Sequence, residues 1–153
     1  MNDKLFTDIE LLYREDKGYY DLAITQRGDL KADNSWDTGL NLALLTDGRA
    51  DKSEVTRPEN QRGTIVDLFT PKRNGSKLWL LEQARNDAGA VNRAIDYCKN
   101  ALKFFTEENY AKTILVDGRR TSKGIILTID VYGKDGEIDK YRYDAWNNSL
   151  YRQ

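Results

Sequence analysis

The sequence predicts an α+β fold in a single domain, on three observations. Apolar residues recur at helical spacing over residues 91–105. β-Branched runs fill residues 112–117 and 124–132. Asp135-Gly136, a strong hairpin signal, then leads into a third run rich in tyrosine. A helix with one apolar stripe and a sheet with one apolar face each need a second layer, and packing one on the other satisfies both. The expected order is an N-terminal β-hairpin and helix, a long loop, and two further helices packed on a C-terminal three-stranded antiparallel sheet. Along the chain this gives an N-terminal arm over residues 1–17, an α+β domain over 18–146 and a C-terminal tail over 147–153.

Residues 3–13 carry Leu5, Ile9 and Leu12 among acidic neighbours and fit either a short amphipathic helix or an arm. Tyr19-Tyr20-Asp21-Leu22-Ala23-Ile24 reads as a strand, and Gln26-Arg27-Gly28-Asp29-Leu30 as a tight turn into a second one. Asn34 or Ser35 is placed to cap a helix carrying Trp36, Leu40, Ala43 and Leu44, which ends near Asp47-Gly48. Residues 48–75 hold both prolines, Pro58 and Pro71, and one apolar island, Ile65-Val66-Asp67-Leu68-Phe69. A connection this long inside a compact domain is read as a binding loop.

The loop ends in Asn74-Gly75 and runs into Ser76-Lys77-Leu78-Trp79-Leu80-Leu81. Gly75 is free to take positive φ and Ser76 is a good N-cap, so a helix is expected from Ser76, with Trp79 as a core anchor. Val91, Ala94, Ile95, Cys98, Ala101, Leu102 and Phe105 share one face of the next helix, with Asn86 and Asp87 before it as candidate caps. Cys98 lies inside that stripe and reads as a small buried apolar residue.

In the C-terminal meander, taking Asp135 and Gly136 as the two central turn residues pairs Tyr132 with Asp139, Asp130 with Tyr141 and Thr128 with Tyr143. That register sets a tyrosine face opposite an aliphatic face of Leu127, Ile129 and Val131, with the helix of residues 91–105 over the aliphatic one. Tyr132, Tyr141, Tyr143 and Trp146 then meet another layer or a partner. The last strand, with Lys140 and Arg142, is expected at the sheet edge, where unpaired main-chain groups can accept a partner strand or where charge resists one.

Composition excludes several function classes. Of 153 residues 32% are charged, yet the net charge is only -1, which argues against binding nucleic acid through phosphate neutralisation. No apolar run approaches a membrane span, and the first residues lack a signal-peptide core, so synthesis in the cytoplasm is expected. One cysteine and no histidine exclude an internal disulfide, histidine-based catalysis and the usual zinc sites. No cofactor is expected.

The order Gly28-Asp29-Leu30, Trp36, Leu44-Leu45-Thr46-Asp47-Gly48-Arg49-Ala50, Arg62-Gly63, Gly75-Ser76-Lys77-Leu78-Trp79-Leu80-Leu81 and Tyr141-Arg142-Tyr143-Asp144 resembles the baseplate wedge family of Mu-like contractile-tailed phages. The resemblance covers roughly residues 18–146, and its most specific segment is Gly75 to Leu81. That family is similar to the sheath-proximal wedge proteins of other contractile phages, some labelled lysozyme-like, and to a baseplate component of type VI secretion systems. Two features depart from the pattern. Arg62-Gly63 is followed by Thr64-Ile65-Val66-Asp67 instead of an aromatic pair and Gly-Asp, and Thr106-Glu107-Glu108-Asn109-Tyr110 stands where related proteins carry Glu-Pro-Arg.

The resemblance implies a virion protein of the tail baseplate, present in several copies, that contacts other wedge proteins and the tail sheath protein and helps initiate the sheath. Tyr132, Lys140, Tyr141, Arg142, Tyr143, Trp146, Arg62 and Phe69 are the candidate partner-binding residues, and Gly75, Ser76, Leu78, Trp79 and Leu81 the structural motif. The same surfaces would serve an adaptor in a tail-like particle. The alternative is a peptidoglycan-cleaving glycoside hydrolase, for which Asp67 and Glu82 are the nameable carboxyl pair.

Overall fold

The computed structural model describes residues 8–14, 16–33, 35–69, 74–83, 88–145 and 147–153, with residues 82 and 83 through their backbone alone. The fold is α+β, and the chain packs into two compact units, residues 1–41 and 42–153.

In the first unit four short strands, β1 (Asp8–Ile9), β2 (Leu11–Arg14), β3 (Tyr19–Leu22) and β4 (Ala32–Asp33), form two antiparallel pairs, β1 with β4 and β2 with β3. Asp8–Ile9 and Leu11–Arg14 are therefore strand, not helix. The hairpin expected around Gly28 shrinks to a bridge between Ile24 and Leu30, because β3 takes its partner from the N-terminal side, across a turn at Gly18. Tyr13 and Tyr20 face each other across that pair, with ring centroids 5.0 Å apart.

Helix α1 (Asp37–Leu45) starts where the Trp36, Leu40, Leu44 spacing places it. Ser35 caps it in part, its Oγ accepting the Asp37 N–H at 3.1 Å, while Asn34 lies outside the described residues. The residue that organises this start is Asp33, which the sequence reading passed over. One carboxylate oxygen accepts the Ser35 N–H and O–H at 2.7 and 2.6 Å, and the other accepts the Thr38 N–H at 3.0 Å. Burial pushes the Asp33 pKa up, but these bonds to Ser35 and Thr38 outweigh it and hold the value below that of an ordinary aspartate.

The second unit is a four-stranded antiparallel sheet with one long helix on it. Helix α2 (Ala90–Glu107) lies on β5 (Thr113–Thr121) and β6 (Gly124–Tyr132), followed by β7 (Ile138–Asp144) and β8 (Ser149–Arg152), in the order β5-β6-β7-β8. Helix α2 buries Ala94, Cys98, Leu102 and Phe105 of the expected stripe together with Ala90, while Val91, Ile95 and Ala101 are half-buried. Gly118 of β5 leaves room for Ile95, whose Cγ1 lies 3.1 Å from where a Cβ on that glycine would sit. Cys98 is fully buried, and burial pushes its thiol up to about 12.

The sheet corrects three expectations. Tyr132 pairs with Ile138, Ile129 with Tyr141 and Leu127 with Tyr143, one residue away from the expected register. The cause is the turn. Gly133 N donates to Glu137 O at 2.9 Å and Gly136 N to Gly133 O, so Lys134-Asp135-Gly136 form a three-residue loop with Gly136 at φ +87°, in place of a two-residue one. A slip of one residue moves every side chain to the other face. Tyr141 and Tyr143 consequently join Leu127, Ile129 and Val131 in the core, at 1% and 2% exposure. Finally, β8 pairs with β7, so the sheet has four strands and β7 is not an edge. The edges are β5 and β8.

Candidate protein–protein interface

Three segments distant in sequence meet to form a main-chain brace. Ser76 N donates to Thr46 O at 2.9 Å and Gly48 N to Ser76 O at 2.7 Å, a parallel bridge between Asp47 and Ser76. The backbones approach so closely that only glycine fits at Gly75. Its φ is +80°, and a Cβ there would collide with the Thr46 carbonyl oxygen and lie 2.9 Å from Gly48 N. The Ser76 hydroxyl is buried and donates to Leu44 O at 2.7 Å, closing the end of α1. From Leu78 the chain forms a 3-10 helix, Leu78–Gln83, and not a regular α-helix. Leu78, Trp79 and Leu81 are all buried.

Trp79 ties in the third segment. Its Nε1–H donates to Gly48 O at 2.9 Å, and the Arg62 guanidinium lies 4.4 Å from its ring centroid. Arg62 Nη1 also meets Asp47 Oδ2 at 3.0 Å. Ala50 N donates to Gln61 O at 2.9 Å, and the Gln61 side chain returns a bond to Ala50 O at 2.8 Å. Lys77 anchors the far side through Asp51 at 2.9 Å and Glu54 at 2.7 Å. Burial alone would lower the Lys77 pKa, but the two carboxylates raise it above the ordinary lysine value. The Leu44–Ala50, Arg62-Gly63 and Gly75–Leu81 motifs are thus a single structural device.

The brace presents the apolar island. Ile65–Leu68 form one 3-10 turn with no buried residue, and Ile65, Val66, Leu68 and Phe69 are 72%, 43%, 68% and 80% exposed. Asp67 fixes the turn, its carboxylate accepting the Thr64 N–H at 2.6 Å, the Thr64 hydroxyl at 3.2 Å and the Asn74 N–H at 3.4 Å. Burial works against these bonds but loses, so Asp67 stays below the usual carboxylate range. A carboxylate held ionised is a cap and unsuited to donate a proton at neutral pH. The Glu82 side chain lies outside the described residues.

The open face of the sheet, away from α2, brings together three of the expected contact residues. Tyr132, Lys140 and Arg142 share it with Leu115, Ile138 and Tyr151, which are 53%, 49% and 51% exposed. Tyr141 and Tyr143 point the other way, so their expected place at a contact surface is corrected to the core. Trp146 lies outside the described residues. Arg62 and Phe69 belong to the brace and the turn, at opposite ends of the Arg62–Phe69 segment. Leu115, Ile138 and Tyr151 were not anticipated. Their signal was present as exposed-side alternation, but reading it required the correct register.

A family model described as Phage protein GP46 matches residues 36–138, well over half of the chain. The chain is also similar to the baseplate protein gp46 of Escherichia phage Mu, 28% identical over 149 residues that cover 94% of this chain and 99% of that protein. The matched span holds the brace, the exposed turn, helix α2 and the first two strands of the sheet, and on this match the chain belongs to the phage protein GP46 family.

Proposed function

We propose that this chain is a structural, non-catalytic component of a phage tail baseplate, present in several copies in the virion, and that it joins wedge subunits and helps start the sheath. The observation that carries the reading is the Ile65–Phe69 turn. Four large apolar side chains stand in solvent on a turn that Asp67 and the brace hold in one conformation. Displaying them in water costs stability, while a partner that covers them regains roughly 1.5–3 kcal/mol for each side chain fully buried. Pre-organisation lowers the entropy lost on docking. The name of the Mu relative, a baseplate protein, supports the baseplate part of this reading.

The sheath contact belongs to the open sheet face and the β5 edge. With β8 paired to Tyr141–Asp144, strand addition along that part of β7 is blocked, whereas β5 is an edge strand of the sheet. Lys140 and Arg142 supply charge and Tyr132 and Tyr151 contact area on the face itself.

The test is complementation of a phage lacking this protein, with Ile65→Ser/Phe69→Ser and Lys140→Glu/Arg142→Glu variants and electron microscopy of the particles. The first variant should leave the protein folded but outside the wedge. The second should give baseplates without sheath. Wild-type titres from both would refute the proposal.

A further inference from the structure

Strand β5 is one edge of the four-stranded sheet, and the hydrogen bonds of its neighbour show which of its main-chain groups point outward. Ala145 N donates to Ile125 O and Gly133 N to Glu137 O, so the odd-numbered residues of β6 turn their main-chain groups to β7 and the even-numbered ones to β5. Thr113, Leu115, Asp117 and Arg119 pair with those even residues, which leaves the N–H and C=O of Ile114, Val116, Gly118 and Arg120 on the outer side. The Gly118 amide, in the middle of this row, is already taken: it donates to Oδ1 of Asp117 at 2.8 Å. On the side away from α2, Leu115, Asp117 and Arg119 stand exposed in a line, and Arg119 has no ion-pair partner among the described residues. On the other side α2 roofs the edge, with Ile95 packed over Gly118.

We propose that the Asp117 carboxylate guards the β5 edge, and that what opens it is a single extended arm of another polypeptide carrying an acidic, then a basic, then an apolar residue at alternate positions. The inference rests on the sheath contact placed at the β5 edge above and names the chemistry of the strand received there. A strand laid antiparallel on β5 must take the Gly118 N–H onto its own carbonyl, so it has to draw Asp117 away. A cation opposite Asp117 does that, while a carboxylate opposite Arg119 and an apolar side chain opposite Leu115 complete the row. Exchanging the two charges sets like against like at both positions. The roof limits the occupant to one bare strand. Neighbouring strands lie about 4.8 Å apart, whereas two packed helices need about 8–10 Å, so a second copy bringing its own α2 to the same edge has no room.

The test uses the whole chain, labelled with ¹⁵N, and two capped peptides of threonine and valine. One carries glutamate, lysine and leucine at alternate positions, and the other lysine, glutamate and leucine. The first should shift the amide resonances of Val116, Gly118 and Arg120 and should bind about tenfold more tightly than the second. Asp117→Lys/Arg119→Glu, altered only at exposed positions and expected to melt as the wild type does, should reverse that preference, a result that lost folding cannot mimic. Asp117→Ala removes the guard and should raise the affinity for a peptide with threonine in place of both charges. No binding, equal binding of the two charged peptides, shifts confined to other strands, or a charge-exchanged variant that keeps the wild-type preference would overturn the proposal, as would concentration-dependent pairing of the chain with itself through β5. If the peptides behave as expected while the complementation above fails, the edge chemistry stands and the assembly role falls. The reverse result removes the guard and leaves that role intact.

Discussion

Gly75→Ala tests the brace most directly. The new methyl would have to adopt φ near +80° and would run into the Thr46 carbonyl oxygen and Gly48 N, both main-chain atoms that cannot rotate away. The left-handed conformation alone costs an alanine about 1–2 kcal/mol. Relieving the collision means separating residues 46–48 from residues 75–76, which weakens the Ser76–Thr46 and Gly48–Ser76 bonds of 2.9 and 2.7 Å. Each is worth about 1 kcal/mol, so with strain the loss comes to about 4 kcal/mol. In a chain of this size that is a drop of about 8–16 °C in Tm. Gly136→Ala is the control. That glycine has φ +87°, and a Cβ there meets nothing within 4 Å, so its substitution carries the conformational cost without the crowding. Urea unfolding followed by far-UV circular dichroism should show Gly75→Ala less stable than Gly136→Ala by about 2 kcal/mol. Equal losses would mean that main-chain crowding at the crossing costs nothing, and the account of the brace would be wrong.

Three further outcomes follow from the same structure. Trp79→Phe keeps the ring near Arg62 but leaves Gly48 O without its donor, and equilibrium unfolding should show a loss of about 1–3 kcal/mol. Because Asp33 titrates below its ordinary 3.8 in the folded chain, its contribution is complete above that pH and is lost as the pH falls through the folded value; urea midpoints for wild type should therefore fall more steeply with acid than those for Asp33→Asn. Cys98, with its thiol raised to about 12 and its side chain fully buried, should resist a thiol reagent in the native protein and react fully in urea.

What the sequence determined by itself was whatever depends on neighbours within one element. The stripe from Val91 to Phe105 gave α2, because a 3.6-residue repeat has one way to bury its apolar side, and it also assigned Cys98 to the core. The β-branched runs gave β5 and β6, and Gly75 announced a conformation that side chains avoid. Motif order likewise indicated the family, and Leu44–Ala50, Arg62-Gly63 and Gly75–Leu81 all lie within the matched residues 36–138. What only the tertiary structure decided was how those pieces meet. One extra residue in the Lys134–Gly136 loop moved Tyr141 and Tyr143 from the surface to the core, because strand register has period two and a turn of either length fits the same Asp-Gly. The short Ser149–Arg152 run carries too few residues to announce a strand, yet pairing with β7 makes it one and moves the sheet edge. The motifs could be recognised without revealing that they form one brace, since contacts such as Ser76 with Leu44 or Trp79 with Gly48 span some thirty residues and leave no local pattern.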